Sequence, residues 1–410
     1  MNQSNTIAEI DIFAAVSRTP LILILVIASM IISAAFLLRI SEKYKTLSVS
    51  SNAKFQTLEG LRGILAMCVF SGHCVISLGY MHNAKWESPD YVLYTWATKG
   101  AVAMFFMITG LLFWNKTLNS GCEYKSHFKS RFKRIYPLYL FMAGIVFVIA
   151  LFQSSFKLNV SMAQLLKEVV FWLLPGITDI NSLNGTAILF INAGVLWTLQ
   201  YEWAFYFILP IISFLFRNHT WSMLGGYAII YLVAYRLGLS DMVTYMKVAL
   251  PILLGCLTAK ILLNDFHQLA WQKVQYHWIT LFLVVTSISL YFPGLSTLIN
   301  TVLLWPAFIL IAGGISVFGF LNYKPIVYLG RISFGVYLLH GIFLYFLRAL
   351  LVNSVLDQFL QDIIFVAAIA PMAFLVTLIC TWVHFWIEMP FMKRGTSNLQ
   401  LKAAQVGGTS

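Results

Sequence analysis

The residues most able to do chemistry in this sequence are ionisable side chains inside long apolar segments. His73 lies in LEGLRGILAMCVFSGHCVISLGY together with Arg62 and Glu59. Arg62 and His73 are eleven residues apart, which on an α-helix is three turns plus about 20°, with a rise of about 16 Å. An imidazole can act as a general base near neutral pH, although a lone intramembrane histidine can also be only an interhelical hydrogen-bonding group. Because Arg62 and Glu59 extend the same face, both interpretations of His73 stay open.

A second charged group lies in the segment KSRFKRIYPLYL. Arg131 and Arg134 are three residues apart and point the same way on a helix, and Pro137 follows them. A guanidinium is a planar fork that suits phosphate oxygens. An isolated RxxR pair is more often a basic anchor at the cytoplasmic face of a membrane, so its spacing alone does not decide between the two roles.

Three further ionisable residues stand in or beside apolar segments: Glu202, His340 and Glu388. A charged side chain inside a bilayer costs a few kcal/mol or more, so each is a candidate functional residue. The structural alternative is that they pair with basic residues, for which the candidates are Arg236, Lys247 and Arg348. Taken together, they predict a polar interior within a helix bundle.

Membrane-spanning helices are the elements that must position these residues. Of the 410 residues, 60% are hydrophobic and 10% are charged, whereas a soluble domain has about a quarter charged residues. A helix needs about 20 apolar residues to cross a bilayer. We therefore predict an all-α, polytopic membrane helix bundle. Its eleven spans are expected at residues 20–40, 59–80, 93–114, 134–152, 197–216, 221–239, 243–263, 277–292, 296–318, 331–353 and 362–387.

The distribution of polar segments predicts the domain organisation. An added N-terminal helix lies within residues 1–45, one transmembrane domain covers 55–394, and a flexible polar tail covers 395–410. Residues 163–175 are too short for a span and carry two charges, so they predict an interfacial helix in the longest loop.

Charge placement orients the chain in the membrane. With the N-terminus outside and the C-terminus in the cytoplasm, 19 of the 27 Lys and Arg residues lie in cytoplasmic segments. This bias is typical of inserted membrane proteins. The net charge of +12 is therefore explained by basic loops beside anionic lipids, and it requires no nucleic-acid partner.

The five cysteines show neither a CxxC pair nor a repeated spacing; they are Cys68, Cys74, Cys122, Cys256 and Cys380. Several stand in apolar segments, where cysteine behaves as a small hydrophobic residue. The pattern indicates neither a disulfide framework nor a metal site.

The motifs around the candidate residues carry a resemblance to a known family. They occur in one order between residues 56 and 394: LEGLRG with Arg62 and His73 as R-x10-H, FFMITG (105–110), Arg131-x-x-Arg134 with Pro137, WTLQYEWAFY (197–206), ISFGVYLLH (332–340) and Glu388-Met-Pro390. In this set the chain resembles the acyltransferase 3 family of membrane acyltransferases. Two positions depart from the family pattern, since Thr109 stands where serine is usual and Glu59 where aspartate is commoner.

The resemblance implies a ten-helix core, to which the 20–40 segment adds one span. It implies that the protein takes an acetyl or other acyl group from cytoplasmic acyl-CoA and delivers it to a hydroxyl of a cell-envelope or exported glycan. Acetyl-CoA would be a co-substrate, and no permanently bound cofactor or metal is expected. The expected location is a bacterial inner membrane.

The same resemblance suggests roles for the candidate residues. His73 would be the base or would carry the acyl group, and Glu202 and His340 would orient it or the acceptor. Arg131 and Arg134 would bind CoA phosphates, and Arg62 would position the donor or pair with Glu59. A proton-coupled transporter or flippase remains the alternative, because intramembrane His and Glu residues also form proton relays. The acceptor, which includes lipid-linked saccharides, and the oligomeric state stay open.

Overall fold

The computed structural model describes residues 12–45, 56–89, 91–121, 124–174, 182–263, 274–290 and 297–393. Within these ranges the chain is almost entirely α-helical, and one short antiparallel hairpin pairs Ser182–Leu183 (β1) with Thr186–Ala187 (β2). The helices are α1 (Ile12–Ser17), α2 (Leu21–Ile40), α3 (Glu42–Lys45), α4 (Gln56–Asn83), α5 (Val92–Ser120), α6 (Tyr124–Gln153), α7 (Met162–Leu173), α8 (Trp197–Phe216), α9 (Ser222–Arg236), α10 (Ser240–Leu263), α11 (Val274–Ser289), α12 (Thr297–Ala312), α13 (Lys324–Val352), α14 (Gln358–Val383) and α15 (Met389–Lys393).

The predicted all-α polytopic membrane fold is confirmed. Eight of the described helices are long and apolar enough to cross a membrane: α2, α4, α5, α6, α8, α10, α13 and α14. The other three predicted spans correspond to α9, α11 and α12, which have 15, 16 and 16 residues. At the rise of an α-helix these cover about 24 Å or less, short of the roughly 30 Å of hydrocarbon. Of the eleven predicted spans, eight are thus helices long enough to cross a membrane, and three are shorter helices.

The predicted short helix in the longest loop is α7. Ser161 caps its N-terminus by accepting a hydrogen bond from the backbone N–H of Gln164 at 3.2 Å. The buried carboxylate of Glu168 accepts from the Gln164 side chain at 3.0 Å and from the backbone N–H of Asn184 at 2.8 Å. Glu168 therefore fastens α7 to the hairpin that precedes α8.

Helices α4 and α13 form the most extensive helix pair of the bundle. A Cβ atom added to Gly330 would overlap the carbonyl oxygen of Glu59, and one added to Gly63 would lie 2.6 Å from the carbonyl oxygen of Ile326. Small residues allow this close backbone approach, as they do between many transmembrane helices. The first halves of both helices meet here and their second halves meet at His73 and His340, so α4 and α13 run parallel.

Helices α5 and α10 pack in the same way. A Cβ atom on Gly110 would overlap the carbonyl oxygen of Ile252, and one on Gly255 would overlap that of Met107. Gly110 ends the FFMITG motif, so this glycine has a packing role that accompanies the motif's other residues.

The N-terminal helix α2 belongs to the same bundle. It packs against α4, α13 and α14, and the hydroxyl of Ser29 donates to the carbonyl oxygen of Ala370 at 2.5 Å. At its other end the chain leaves α14 through one π-helical turn, His384–Glu388, and continues into α15. The predicted flexible tail at 395–410 lies outside the described residues.

Candidate active site

Two histidines meet in the interior of the bundle. Nε2 of His340 on α13 lies 2.9 Å from Nδ1 of His73 on α4, and the two ring centroids are 5.0 Å apart. His340 is fully buried, whereas His73 is partly exposed. Gly63 and Gly330 each precede one of these histidines by ten residues, about 15 Å of helical rise. The close helix contact at these glycines therefore places the two imidazoles side by side.

The hydrogen bonds of this pair determine where its protons lie. Nδ1 of His340 is 2.9 Å from the carbonyl oxygen of Val336, which can only accept, so this nitrogen carries a proton. Nε2 of a neutral His340 is then an acceptor, and Nδ1 of His73 donates to it. The remaining nitrogen of His73, Nε2, keeps its lone pair free. A histidine held in this tautomer is prepared to accept a proton or to attack a carbonyl carbon.

A cavity lies towards the end of the bundle where α4 and α13 begin. Three arginines and one carboxylate line it: Arg62 from α4, Arg131 and Arg134 from α6, and Glu202 from α8. Apolar and hydroxyl side chains complete its wall, among them Phe105, Thr109, Thr198, Ser333 and Tyr337. The cavity is therefore cationic and suits an anionic group with an attached narrow apolar arm.

Aromatic residues contact two of the charged groups in the cavity. The guanidinium of Arg131 lies over the ring of Phe113, with its central carbon 4.4 Å from the ring centroid. The hydroxyl of Tyr206 donates to the carboxylate of Glu202. Glu59 stands one turn before Arg62 on α4.

Tyr337 and Thr198 line the cavity and are hydrogen-bonded to each other. Their hydroxyl groups are 2.9 Å apart, and the Tyr337 hydroxyl also donates to the carbonyl oxygen of Val195 at 3.2 Å. The Tyr337 ring contacts His340, with centroids 6.3 Å apart. Tyr337 thus both lines the arginine-lined cavity and contacts His340 of the histidine pair.

Glu388 lies apart from this cavity. Its carboxylate accepts from Nδ1 of His384 at 2.6 Å inside the π-helical turn, and both side chains are buried. This turn packs against α6, the helix that carries Arg131 and Arg134. The hydrogen bond therefore holds the end of α14 in place.

The suggestion that Glu202, His340 and Glu388 pair with Arg236, Lys247 or Arg348 is wrong. Each of the three bonds to another residue: Glu202 to Tyr206, His340 to His73, and Glu388 to His384. Arg236 is exposed at the end of α9. The pairing hypothesis failed because it considered only opposite charges, whereas tyrosine and histidine also satisfy buried polar groups.

Three polar residues of the site were not predicted from the sequence: Tyr337, Thr198 and Ser333. Ser333 is buried, and its hydroxyl has no hydrogen-bond partner among the described residues. Ser333, Tyr337 and His340 are spaced four and three residues apart, so they share one face of α13. This spacing was the signal available in the motif ISFGVYLLH.

Across the described ranges, no three His, Cys, Asp or Glu side chains come together as a metal site.

Most of the chain matches a known protein family. Residues 55–384, which are 330 of the 410, match the family model described as an acyltransferase domain, acyltransferase 3. No curated protein and no solved structure shows significant similarity to the chain.

Proposed function

Because the chain belongs to the acyltransferase 3 family and is a multi-pass membrane acyltransferase, we propose that it acylates glycans with acyl groups from the cytoplasm. The donor is acetyl-CoA or another acyl-CoA, and the acceptor is a hydroxyl of a cell-envelope or exported glycan or a lipid-linked saccharide. The membrane is a bacterial inner membrane, with the N-terminus outside and the C-terminus in the cytoplasm.

One observation carries this proposal: the hydrogen-bonded pair of His73 and His340 lies beyond a cavity lined by three arginines. The arginines supply the charge that CoA phosphates require, and Arg131 and Arg134 present it from successive turns of α6. The apolar wall between them and Tyr337 suits the acyl arm. Arg62 positions the donor with Glu59 beside it, and Glu202 fixes the arginine side of the site through Tyr206.

In the proposed reaction His73 is the general base. Its Nε2 takes the proton of the acceptor hydroxyl while that oxygen attacks the carbonyl carbon of the thioester. The carbon–sulfur bond breaks, and the leaving CoA thiolate takes the proton back from His73. His340 is a positioning residue, because its Nε2 holds the Nδ1 proton of His73 and stabilises the imidazolium that forms.

A second mechanism uses the same atoms in another order. Nε2 of His73 first takes the acyl group, CoA leaves, and the acceptor hydroxyl then removes the acyl group from the histidine. Release of CoA in the absence of any acceptor, together with an acylated His73 peptide in mass spectra, would favour this order over direct transfer.

The test of the proposed function is CoA release by the purified protein. The protein in detergent is mixed with acetyl-CoA and a glycan extract, and free thiol is followed over time. We expect glycan-dependent release that the His73→Ala variant lacks at unchanged expression and thermal stability. Absence of release by the wild type, with solute uptake that follows a proton gradient in liposomes, would favour the transporter alternative.

A further inference from the structure

A cluster of aromatic residues lies on the side of His73 opposite the arginine-lined cavity. Trp86, from the loop between α4 and α5, faces His73 with ring centroids 6.4 Å apart. Tyr80 and Phe190 contact Trp86, with centroids 5.9 Å and 6.0 Å from it. Tyr80 is seven residues beyond His73 on α4, about 10 Å of rise and on the same face. These side chains therefore cover the outer approach to the histidine pair.

Arg348 packs against two rings of this cluster, Tyr80 and Trp86. It stands eight residues beyond His340 on α13, and its side chain is 6% exposed. Its Nη2 donates to the carbonyl oxygen of Phe190 at 2.7 Å. Its guanidinium carbon lies 4.8 Å from the ring centroid of Tyr80 and 5.4 Å from that of Trp86. Half of the guanidinium is thus fixed by the protein.

The other half differs, since among the described residues no atom forms a hydrogen bond with Nη1 of Arg348. A buried charge without an acceptor is expensive, and native proteins usually pair it. The aromatic rings offset part of the charge, but they leave the fork of Nη1 and Nη2 without the bidentate oxygen partner that arginine suits best.

The loop that carries Trp86 is exposed on both sides of that residue, so within this loop it is Trp86 that covers the histidine. Its neighbours Lys85, Glu87 and Ser88 are exposed, whereas Trp86 is partly buried between His73 and Arg348. Ala84 turns the chain there with a left-handed φ of 54°. Displacement of this one side chain would uncover both His73 and the free edge of Arg348.

We propose that the acceptor binds where Trp86 now covers His73 and Arg348, and that Arg348 selects a saccharide bearing an acidic group. A sugar carboxylate or phosphate binds Nη1 of Arg348, and a hydroxyl of the same residue or its neighbour then lies towards Nε2 of His73. Trp86 closes the site when no acceptor is present. This proposal rests on the proposed function for the meaning of the site, and its test needs no acyl transfer.

The experiment measures binding of three methyl glycosides to the purified full-length protein without acyl-CoA, by titration calorimetry. The probes are the glucoside, the glucuronoside and the glucoside 6-phosphate, which differ only at carbon 6. We expect one or both acidic probes to bind about tenfold more tightly than the neutral one, the ratio that one charge-assisted hydrogen bond provides. The stronger acidic probe identifies carboxylate or phosphate as the natural group.

Three variants make the test specific. Arg348→Gln keeps an amide donor for the Phe190 carbonyl oxygen and loses the charge, so it should bind all three probes equally. Trp86→Ala should keep the preference for acidic probes and bind them at least as tightly, because no indole ring must be displaced. Arg236→Gln, at an exposed arginine, is the matched control and should behave like the wild type.

Equal binding of neutral and acidic probes by the wild type, or no saturable binding of the acidic probes, would overturn the proposal. So would an acidic preference that survives in Arg348→Gln, or a loss of melting temperature in that variant with no change in selectivity, which would mark Arg348 as a structural brace. Acidic binding that is intact in a protein without CoA release would instead count against the proposed function alone.

Discussion

At the scale of single residues, the proposed reaction depends on the position of one proton. His340 donates its Nδ1 proton to Val336, which leaves its Nε2 to accept from His73. Nε2 of His73, which keeps its lone pair in this tautomer, is the reactive atom in both proposed mechanisms. His340 contributes by selecting the tautomer of its neighbour.

The His340→Ala variant tests this role. Without His340, the Nδ1 proton of His73 loses its side-chain acceptor and His73 can adopt the wrong tautomer, so we expect kcat to fall by about 100-fold or more while the KM for acyl-CoA is unchanged. The Gln variant at the same position supplies an amide oxygen and should recover part of kcat. Steady-state CoA release measures both constants. A rise in KM at constant kcat would place His340 in donor binding instead.

The arginines of α6 make a separate prediction. Arg131→Gln or Arg134→Gln removes a charged donor from the cavity, so the KM for acyl-CoA should rise about tenfold with a small change in kcat. Lys129→Gln is the matched control, because Lys129 is exposed on the same helix and does not line the cavity. If all three variants have the wild-type KM, the phosphate-binding role is wrong.

Much of the residue-level arrangement follows from helical spacing, and part of it does not. The eleven-residue spacing placed Arg62 and His73 on one face of α4, and the three-residue spacing placed Arg131 and Arg134 on one face of α6. The sequence suggested that Glu202 orients His73 or the acceptor, and it did not predict that Glu202 lines a cavity with these arginines. The hydrogen bond between His73 and His340 joins positions 267 residues apart. Spacing along one helix carries no information on such a contact, because it is set by how two helices pack.

At the scale of elements, α4 and α13 act as one unit. Their backbones approach at Gly63 and Gly330, where side chains would separate them. Ten residues further along each helix the two histidines form their hydrogen bond. The glycines of LEGLRG therefore have a physical reason to accompany the histidine of that motif.

A substitution at this contact should affect catalysis from a distance. Gly330→Ala places a methyl group against the carbonyl oxygen of Glu59, so we expect a loss of about 1–3 kcal/mol in stability and a lower kcat. Gly144→Ala on α6 is the control, because nothing lies within 4 Å of the added Cβ. Thermal unfolding in detergent and CoA release measure the two effects. Equal stability and equal kcat of the two variants would contradict the role of this close contact between α4 and α13.

Element boundaries show where the sequence was informative. Apolar length located the eight long helices, and the span predicted at 197–216 coincides with α8. The polar ends of helices were not predicted. Helices α4 and α13 begin before their predicted spans, because polar residues near Gln56 and Lys324 continue each helix beyond its apolar segment. Hydropathy detects the segment in hydrocarbon, whereas backbone hydrogen bonding extends the helix past it.

At the scale of the whole molecule, the bundle has two chemically different ends. The end where α4 and α13 begin has the arginine-lined cavity, and the opposite end has Trp86 and Arg348 around the histidine pair. In the proposed orientation, with basic residues retained in the cytoplasm, the first end faces the proposed acyl-CoA donor. The proposed reaction then joins a cytoplasmic donor to an acceptor outside.

This orientation predicts which loops react with an impermeant thiol reagent. In a cysteine-free variant of the chain, Lys85→Cys lies in the exposed loop after α4 and should be labelled in intact cells. Asn218→Cys lies in the exposed turn between α8 and α9 and should be labelled only after permeabilisation. The reverse pattern would invert the chain and move the donor site to the outside.

The most direct test of the central claim is acyl transfer across a bilayer. The protein is reconstituted into sealed liposomes that contain a glycan acceptor, and [¹⁴C]acetyl-CoA is added outside. Only molecules whose arginine end faces outward can bind this donor. The label on the enclosed glycan is then measured. We expect label to accumulate inside with the wild type and to be absent with His73→Ala. Equal labelling by both proteins, or labelling only when acetyl-CoA and glycan share one compartment, would contradict transfer through the histidine pair.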